Sequence, residues 1–98
     1  MSDPVSARYK EALQHGHVAV VKGRPKEAIK HYQEAASLAP ERTLPFTSMG
    51  SVYLQMDKPK EATRAFDEAL ERAPNDIDAL RGKAQVLEAE GRPQEAAG

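Results

Sequence analysis

Three histidines, His15, His17 and His31, and an acidic run, Asp67, Glu68 and Glu71, are the residues with the plainest capacity for chemistry. Imidazoles ligate transition metals and carry protons, and paired carboxylates do acid–base work. Two histidines on one helix share a metal when they stand four residues apart on one face. His15 and His17 are two apart and diverge, so all three histidines read as solvated or packing side chains. The acidic run lies on a segment whose opposite face is apolar, and it reads as a solvated helix face. No serine stands in a Gly-x-Ser-x-Gly setting, and there is no glycine-rich phosphate loop. The chain has no cysteine, which removes disulfides and thiolate metal sites and leaves the compartment open. These residues specify no enzyme, no metal and no cofactor.

Composition narrows the partner class. The 98 residues make one domain at most. The chain is 30% charged and 40% apolar with a net charge of −1, so it carries no basic footprint for nucleic acid. Charges of both signs are interspersed, as on exposed helix faces. Their balance drifts from +2 over residues 9–42 to −2 over residues 43–76. No apolar run approaches the roughly 18–20 residues that cross a bilayer, and residues 1–8 do not have the form of a secretion signal. A cytoplasmic location without membrane contact is the default expectation; a parent trimmed of its signal is the alternative.

The elements that position these side chains follow from an internal repeat. Residues 9–42 and 43–76 align without a gap at ten identical positions, an offset of 34. Gly16 returns as Gly50, Ala28 as Ala62, Ala35 as Ala69 and Pro40 as Pro74. The run Gly23–Ala28 returns at Asp57–Ala62 and again at Gly91–Ala96. A fixed period of this length marks a stacked helical repeat. Apolar residues recur at helical spacing within each unit. The first helix carries Val5, Tyr9, Ala12, Leu13, Gly16, Ala19 and Val20, with Asp3 as cap and Pro4 in the first turn. Gly23 stops it and Pro25 opens the second, which buries Ala28, Ile29, Tyr32, Ala35, Ala36 and Ala39 before Pro40. The third carries Phe46, Met49, Gly50, Tyr53 and Leu54. The fourth runs from Pro59 with Ala62, Ala65, Phe66, Ala69, Leu70 and Ala73 inward. Asn75 or Asp76 caps a fifth with Ile77, Leu80, Ala84 and Leu87 on its apolar face. Too few residues follow Pro93 for a stable sixth helix, so the third unit, 77–98, is a half repeat. Tyr32 and Phe66 are the large knobs between units.

The pattern resembles the tetratricopeptide repeat family, a 34-residue helix–turn–helix unit with W-x2-L-G-x2-Y…A-x3-F…P. The matching residues are Gly16, Ala28, Tyr32, Ala35 and Pro40 in the first unit, and Met49 (for the leucine), Gly50, Tyr53, Ala62, Phe66, Ala69 and Pro74 in the second. Leu87 and Ala96 match in the half unit. The resemblance implies an all-α helical-hairpin solenoid of about five helices, spanning 1–98 as one domain. The departures are Ala12, Phe46 and Leu80 at the tryptophan position, His15 and Lys83 at the leucine position, and Ala84 for the third glycine. Lys83 suggests a wet face on the fifth helix, as on a terminal cap, but the Gly91–Ala96 run reads as the opening of another repeat, and a chain that continues or was cut from a longer protein is the favoured expectation.

The resemblance also implies a binding surface on the concave side, lined by the first helix of each hairpin. Carried over by position, its residues are Lys10, Leu13, His17, Val20 and Val21, then Leu44, Thr47, Ser51, Leu54 and Gln55, then Asp78, Arg81, Gln85, Glu88 and Ala89. One subclass of the family clamps the carboxylate tail of heat-shock chaperones with a Lys/Asn/Asn/Lys/Arg set. Here Leu13, His17, Ser51 and Gln85 stand in four of those places and only Arg81 is a cationic match, which argues against that ligand. The implied function is a protein–protein interaction scaffold that takes a peptide or amphipathic helix of a partner protein. A charge at Leu54 is expected to remove the partner and leave the fold intact. The alternatives are a regulatory or substrate-recruiting segment of a larger enzyme or assembly protein, or self-association through the C-terminal edge; a monomer is favoured over a homodimer.

Overall fold

The computed structural model describes residues 3–91. Five helices follow in chain order: α1 (Pro4–Val21), α2 (Pro25–Leu38), α3 (Leu44–Gln55), α4 (Pro59–Arg72) and α5 (Ile77–Ala89). There is no strand among the described residues. The run after Pro93, where a sixth helix is announced, lies outside them.

Local chemistry sets the boundaries. The Asp3 side chain accepts from the Val5 amide at 3.0 Å, and Asp76 accepts from the Ala79 amide at 3.1 Å. Both carboxylates satisfy an orphan donor at the positive end of a helix. Pro25 and Pro59 sit in first turns, where a missing N–H is harmless. The turn between hairpin helices is built twice on one plan. Arg24 N donates to the Ala19 carbonyl at 2.8 Å, and Lys58 N donates to Tyr53 at 2.9 Å. Each such turn needs a left-handed residue: Gly23 takes φ 72°, and Asp57, without glycine's freedom, takes φ 59°. Gly91 takes φ 69°, so the third unit begins the same turn.

Hairpins α1–α2 and α3–α4 stack, with α5 closing against α4 and α3. The radius of gyration is 14.1 Å, against about 13 Å for a compact domain of this length. The excess reflects growth along one direction. Three apolar clusters run through the stack. Tyr9, Ala12, Ala35 and Ala39 join α1 to α2. Ala19, Ile29, Tyr32, Met49, Val52 and Ala65 bridge the two hairpins. Phe66, Ala69, Ala79 and Val86 join α4 to α5. Tyr32 and Phe66 are the expected knobs, both almost completely buried.

The fifth helix leaves open the apolar edge expected of a half repeat and is buried on a face the sequence reading did not mark. Ile77, Leu80 and Leu87 are 67%, 50% and 39% exposed, and Ala84 is exposed too. The buried face is Ala79, Gly82 and Val86. The 34-residue offset gives the reason. Leu80 and Leu87 correspond to Phe46 and Tyr53, which pack near α4 within their own hairpin. Periodicity selected the face meant for a hairpin partner of α5, whereas α5 is held by its small-residue face against the preceding unit. A lesser correction concerns a single residue. Val5 is 45% exposed rather than part of the buried stripe. The acidic run is a solvated face that also carries two surface ion pairs, Asp67 with Lys83 at 2.7 Å and Glu68 with Arg72 at 3.2 Å.

Candidate functional site

Two glycines and a phenyl ring set the spacing of the helices that carry the expected groove. A Cβ added to Gly50 would lie 2.5 Å from Phe66 ring carbons, and one added to Gly82 would lie 2.3 Å from them. Phe66 is therefore held between α3 and α5 at positions where no side chain fits. One unit earlier, Tyr32 meets Gly16, whose added Cβ would stand 2.4 Å from the ring. Ser48 of α3 occupies the position equivalent to Gly82. Gly82 was not singled out in the sequence; the offset from Ser48, a second small residue, was the available signal.

The Tyr32 hydroxyl makes the first junction polar. It lies 2.6 Å from Nδ1 of His17, and Ser48 also hydrogen-bonds to it. Burial pushes the Tyr32 hydroxyl above its ordinary pKa, with the Ser48 hydrogen bond acting in the opposite direction. Tyr9 is also raised, by burial first, with Arg42 opposing; the Arg42 guanidinium sits 5.4 Å from its ring centre. His17 is thus tied to the inter-unit knob. The histidines that do meet are His15 and His31, on facing helices, with ring centres 5.3 Å apart and planes at 70°. His31 Nδ1 is buried with no hydrogen-bond partner. Among the described residues no group of three histidines or acids is placed to hold a metal.

A cleft of about 290 Å³ opens between α3 and α5, lined by Thr47, Ser48, Ser51, Phe66, Asp78, Arg81, Gly82 and Gln85. It brings together five of the expected groove residues: Thr47, Ser51, Asp78, Arg81 and Gln85. Thr47 is buried, and its hydroxyl donates to the Leu44 carbonyl at 3.1 Å. The other four are exposed. Val20 and Gln55 line a separate cleft of about 270 Å³ beside the Gly23–Pro25 turn. Lys10, Leu13, His17, Leu44, Leu54 and Glu88 line neither cleft. Leu13 and Leu54 are partly buried and pack against core clusters. A charge at Leu54 would therefore strain the α3–α4–α5 core, which makes it a poor probe of binding alone. Lys10, Leu44 and Glu88 are exposed.

A further depression, about 320 Å³, lies among α2, α3 and α4. Phe46, Met49, Tyr53, Ala36 and Ala65 contribute its apolar lining, with Glu61, Arg64 and Glu68 also bordering it. Sequence reasoning assigned Phe46 and Tyr53 to packing and did not anticipate this opening. The Arg72 guanidinium covers the Phe46 ring at 4.1 Å and hydrogen-bonds to the Pro40 carbonyl, binding the end of α4 to the inter-unit linker. No helix among the described residues is long and apolar enough to cross a membrane.

Comparison with known proteins agrees with this architecture. One family model, described as tetratricopeptide repeat, matches residues 47–98. A second with the same description matches residues 9–42. No curated protein sequence matches the chain. With a match over more than half its length, a 34-residue period and stacked helical hairpins, the chain belongs to the tetratricopeptide repeat family.

Proposed function

We propose that this chain is a protein-interaction scaffold that docks a peptide or amphipathic helix of a partner protein along α1, α3 and α5. Tetratricopeptide repeats are generally protein–protein interaction modules and typically non-catalytic scaffolds. The observation that carries the finer reading is the cleft between α3 and α5, where expected groove residues from two units converge. Leu44 is exposed and stands one helical turn before Thr47 and Ser48 on α3, and Val21, at the end of α1, is exposed too. A groove that mixes apolar and polar positions suits an amphipathic segment.

The test uses peptides selected against the chain from a random-peptide display library, with affinity read by fluorescence anisotropy. Leu44 is 45% exposed at the start of α3, so Leu44→Asp leaves the core untouched. It is expected to weaken the selected peptides at least about tenfold, the equivalent of 1.4 kcal/mol. Unchanged affinity in a folded Leu44→Asp protein would remove the groove reading.

Self-association is a second reading, supported by the exposed Ile77, Leu80 and Leu87 of α5. An apolar face of this kind is either an interface or a liability. A mass by light scattering that stays monomeric at every concentration would eliminate it.

A further inference from the structure

We infer that the cleft between α3 and α5 is a specificity pocket for a neutral carboxamide side chain, asparagine or glutamine, presented by the segment that docks in the groove. The inference rests on the groove reading and adds the chemistry of the group recognised.

The two inter-unit junctions differ at three equivalent positions, Tyr32 against Phe66, Ser48 against Gly82 and His17 against Ser51. At the first, Tyr32 reaches His17 and Ser48 with its hydroxyl, so the polar atoms there satisfy one another. At the second, Phe66 has no hydroxyl and Gly82 no side chain, so both of those oxygens are missing. What remains is a buried phenyl ring as floor and exposed polar groups around it. Thr47 has already given its proton to the Leu44 carbonyl. Ser51, Asp78, Arg81 and Gln85 are left with polar atoms free for a ligand.

Charge decides between ligand groups. Asp78 and Arg81 both line the cleft, one helical turn apart, and neither is in an ion pair among the described residues. A carboxylate would satisfy Arg81 and meet repulsion from Asp78. An ammonium or guanidinium group would do the reverse. A carboxamide supplies a carbonyl acceptor for Arg81 and two N–H donors, one of which reaches Asp78. Gln85 offers the same donor–acceptor pair and can bond a second carboxamide at both atoms. An apolar side chain would cover these polar groups without replacing their water, which costs free energy.

The selected peptides supply the test. Each asparagine or glutamine in them is changed in turn to the matching acid and to leucine. Affinities are measured for the natural chain, Gln85→Leu, Gly82→Ser and Leu44→Asp. The pocket predicts one position where either change weakens binding at least about tenfold, with that penalty largely lost in Gln85→Leu. Gly82→Ser restores the missing oxygen and is expected to act likewise. Because its Cβ must displace Phe66, circular dichroism checks its fold, and the exposed Gln85→Leu keeps the test decisive if it unfolds. Binding that survives leucine at every carboxamide, or strengthens with the acid, overturns the pocket. Peptides lost on Leu44→Asp but indifferent to carboxamide changes sink the pocket and spare the groove. Peptides indifferent to Leu44→Asp sink the groove reading, and a selection that enriches nothing removes both.

Discussion

Tyr32 and Phe66 stand one repeat apart and differ by a single hydroxyl, and that atom changes what each junction can do. Removing it with Tyr32→Phe breaks the 2.6 Å bond to His17 and is expected to cost about 0.5–1.5 kcal/mol near neutral pH, read by urea denaturation. The advantage of the hydroxyl shrinks in alkali. Burial disfavours the phenolate, so the folded chain holds the Tyr32 proton more tightly than the unfolded chain does. Its contribution is therefore complete below the unfolded value and is lost as pH rises through the raised folded value. Between neutral pH and about pH 11, the natural chain is expected to lose more stability than Tyr32→Phe. Equal losses would assign the alkaline transition to other groups, Tyr9 among them. Around Phe66 the constraint is purely steric. Gly82→Ala drives a Cβ toward a ring carbon 2.3 Å away and is expected to destabilise by about 1–3 kcal/mol. Ala84→Gly, at the exposed position where the repeat pattern expects glycine, should cost only the helix-propensity difference of about 1 kcal/mol. Thermal melts of the pair separate the two explanations.

At the scale of elements, the turns and the fifth helix carry the clearest consequences. Asp57 holds φ 59° where the other two units have glycine. A side chain in that region costs roughly 1–2 kcal/mol, offset by the extra chain entropy that glycine loses on folding. Asp57→Gly is therefore expected to raise stability by some tenths to about 1 kcal/mol; a fall in the urea midpoint would contradict this account. On α5, the two faces separate by substitution. Val86 is 3% exposed, and Val86→Ala should cost roughly 1–3 kcal/mol. Leu80→Gln, at 50% exposure, should stay within about 0.5 kcal/mol as a surface change. The Lys83–Asp67 pair joins α5 to α4, yet both side chains are about half exposed. Such a pair contributes about 0–1 kcal/mol and is weakened by salt, so the small-residue contact with Phe66 holds α5 in place.

Across the whole molecule, stability should follow the order of stacking. Contacts run from α1 to α2, α2 to α3, α3 to α4, and from α5 to both α3 and α4. In such a chain each unit draws on its neighbours, and the terminal unit opens first. Amide hydrogen exchange is expected to protect α3 and α4 most and α5 least. Uniform protection would show one cooperative block instead. The same gradient places the candidate pocket between a well-supported helix and a less supported one, so ligand binding there should raise the protection of α5 selectively.

The 34-residue period, the capping residues, the prolines and the recurrent left-handed turn are written locally, and the sequence by itself therefore determined the helices, their order and the two knobs. The family resemblance marked a set of groove positions, of which Thr47, Ser51, Asp78, Arg81 and Gln85 meet in the cleft between α3 and α5. Only the tertiary structure decided which faces were occupied. Helical spacing identifies an apolar stripe without naming its partner: it marked Ile77, Leu80 and Leu87 as the apolar edge of α5, which no hairpin partner covers among the described residues, and it did not mark the face that is buried, Ala79, Gly82 and Val86. The close approach of α5 to Phe66 depends on a glycine two places from the one the pattern marks. Leu54 belongs to packing for the same reason: its exposure depends on how near α4 and α5 come, a distance set by the volumes of residues far apart in the chain.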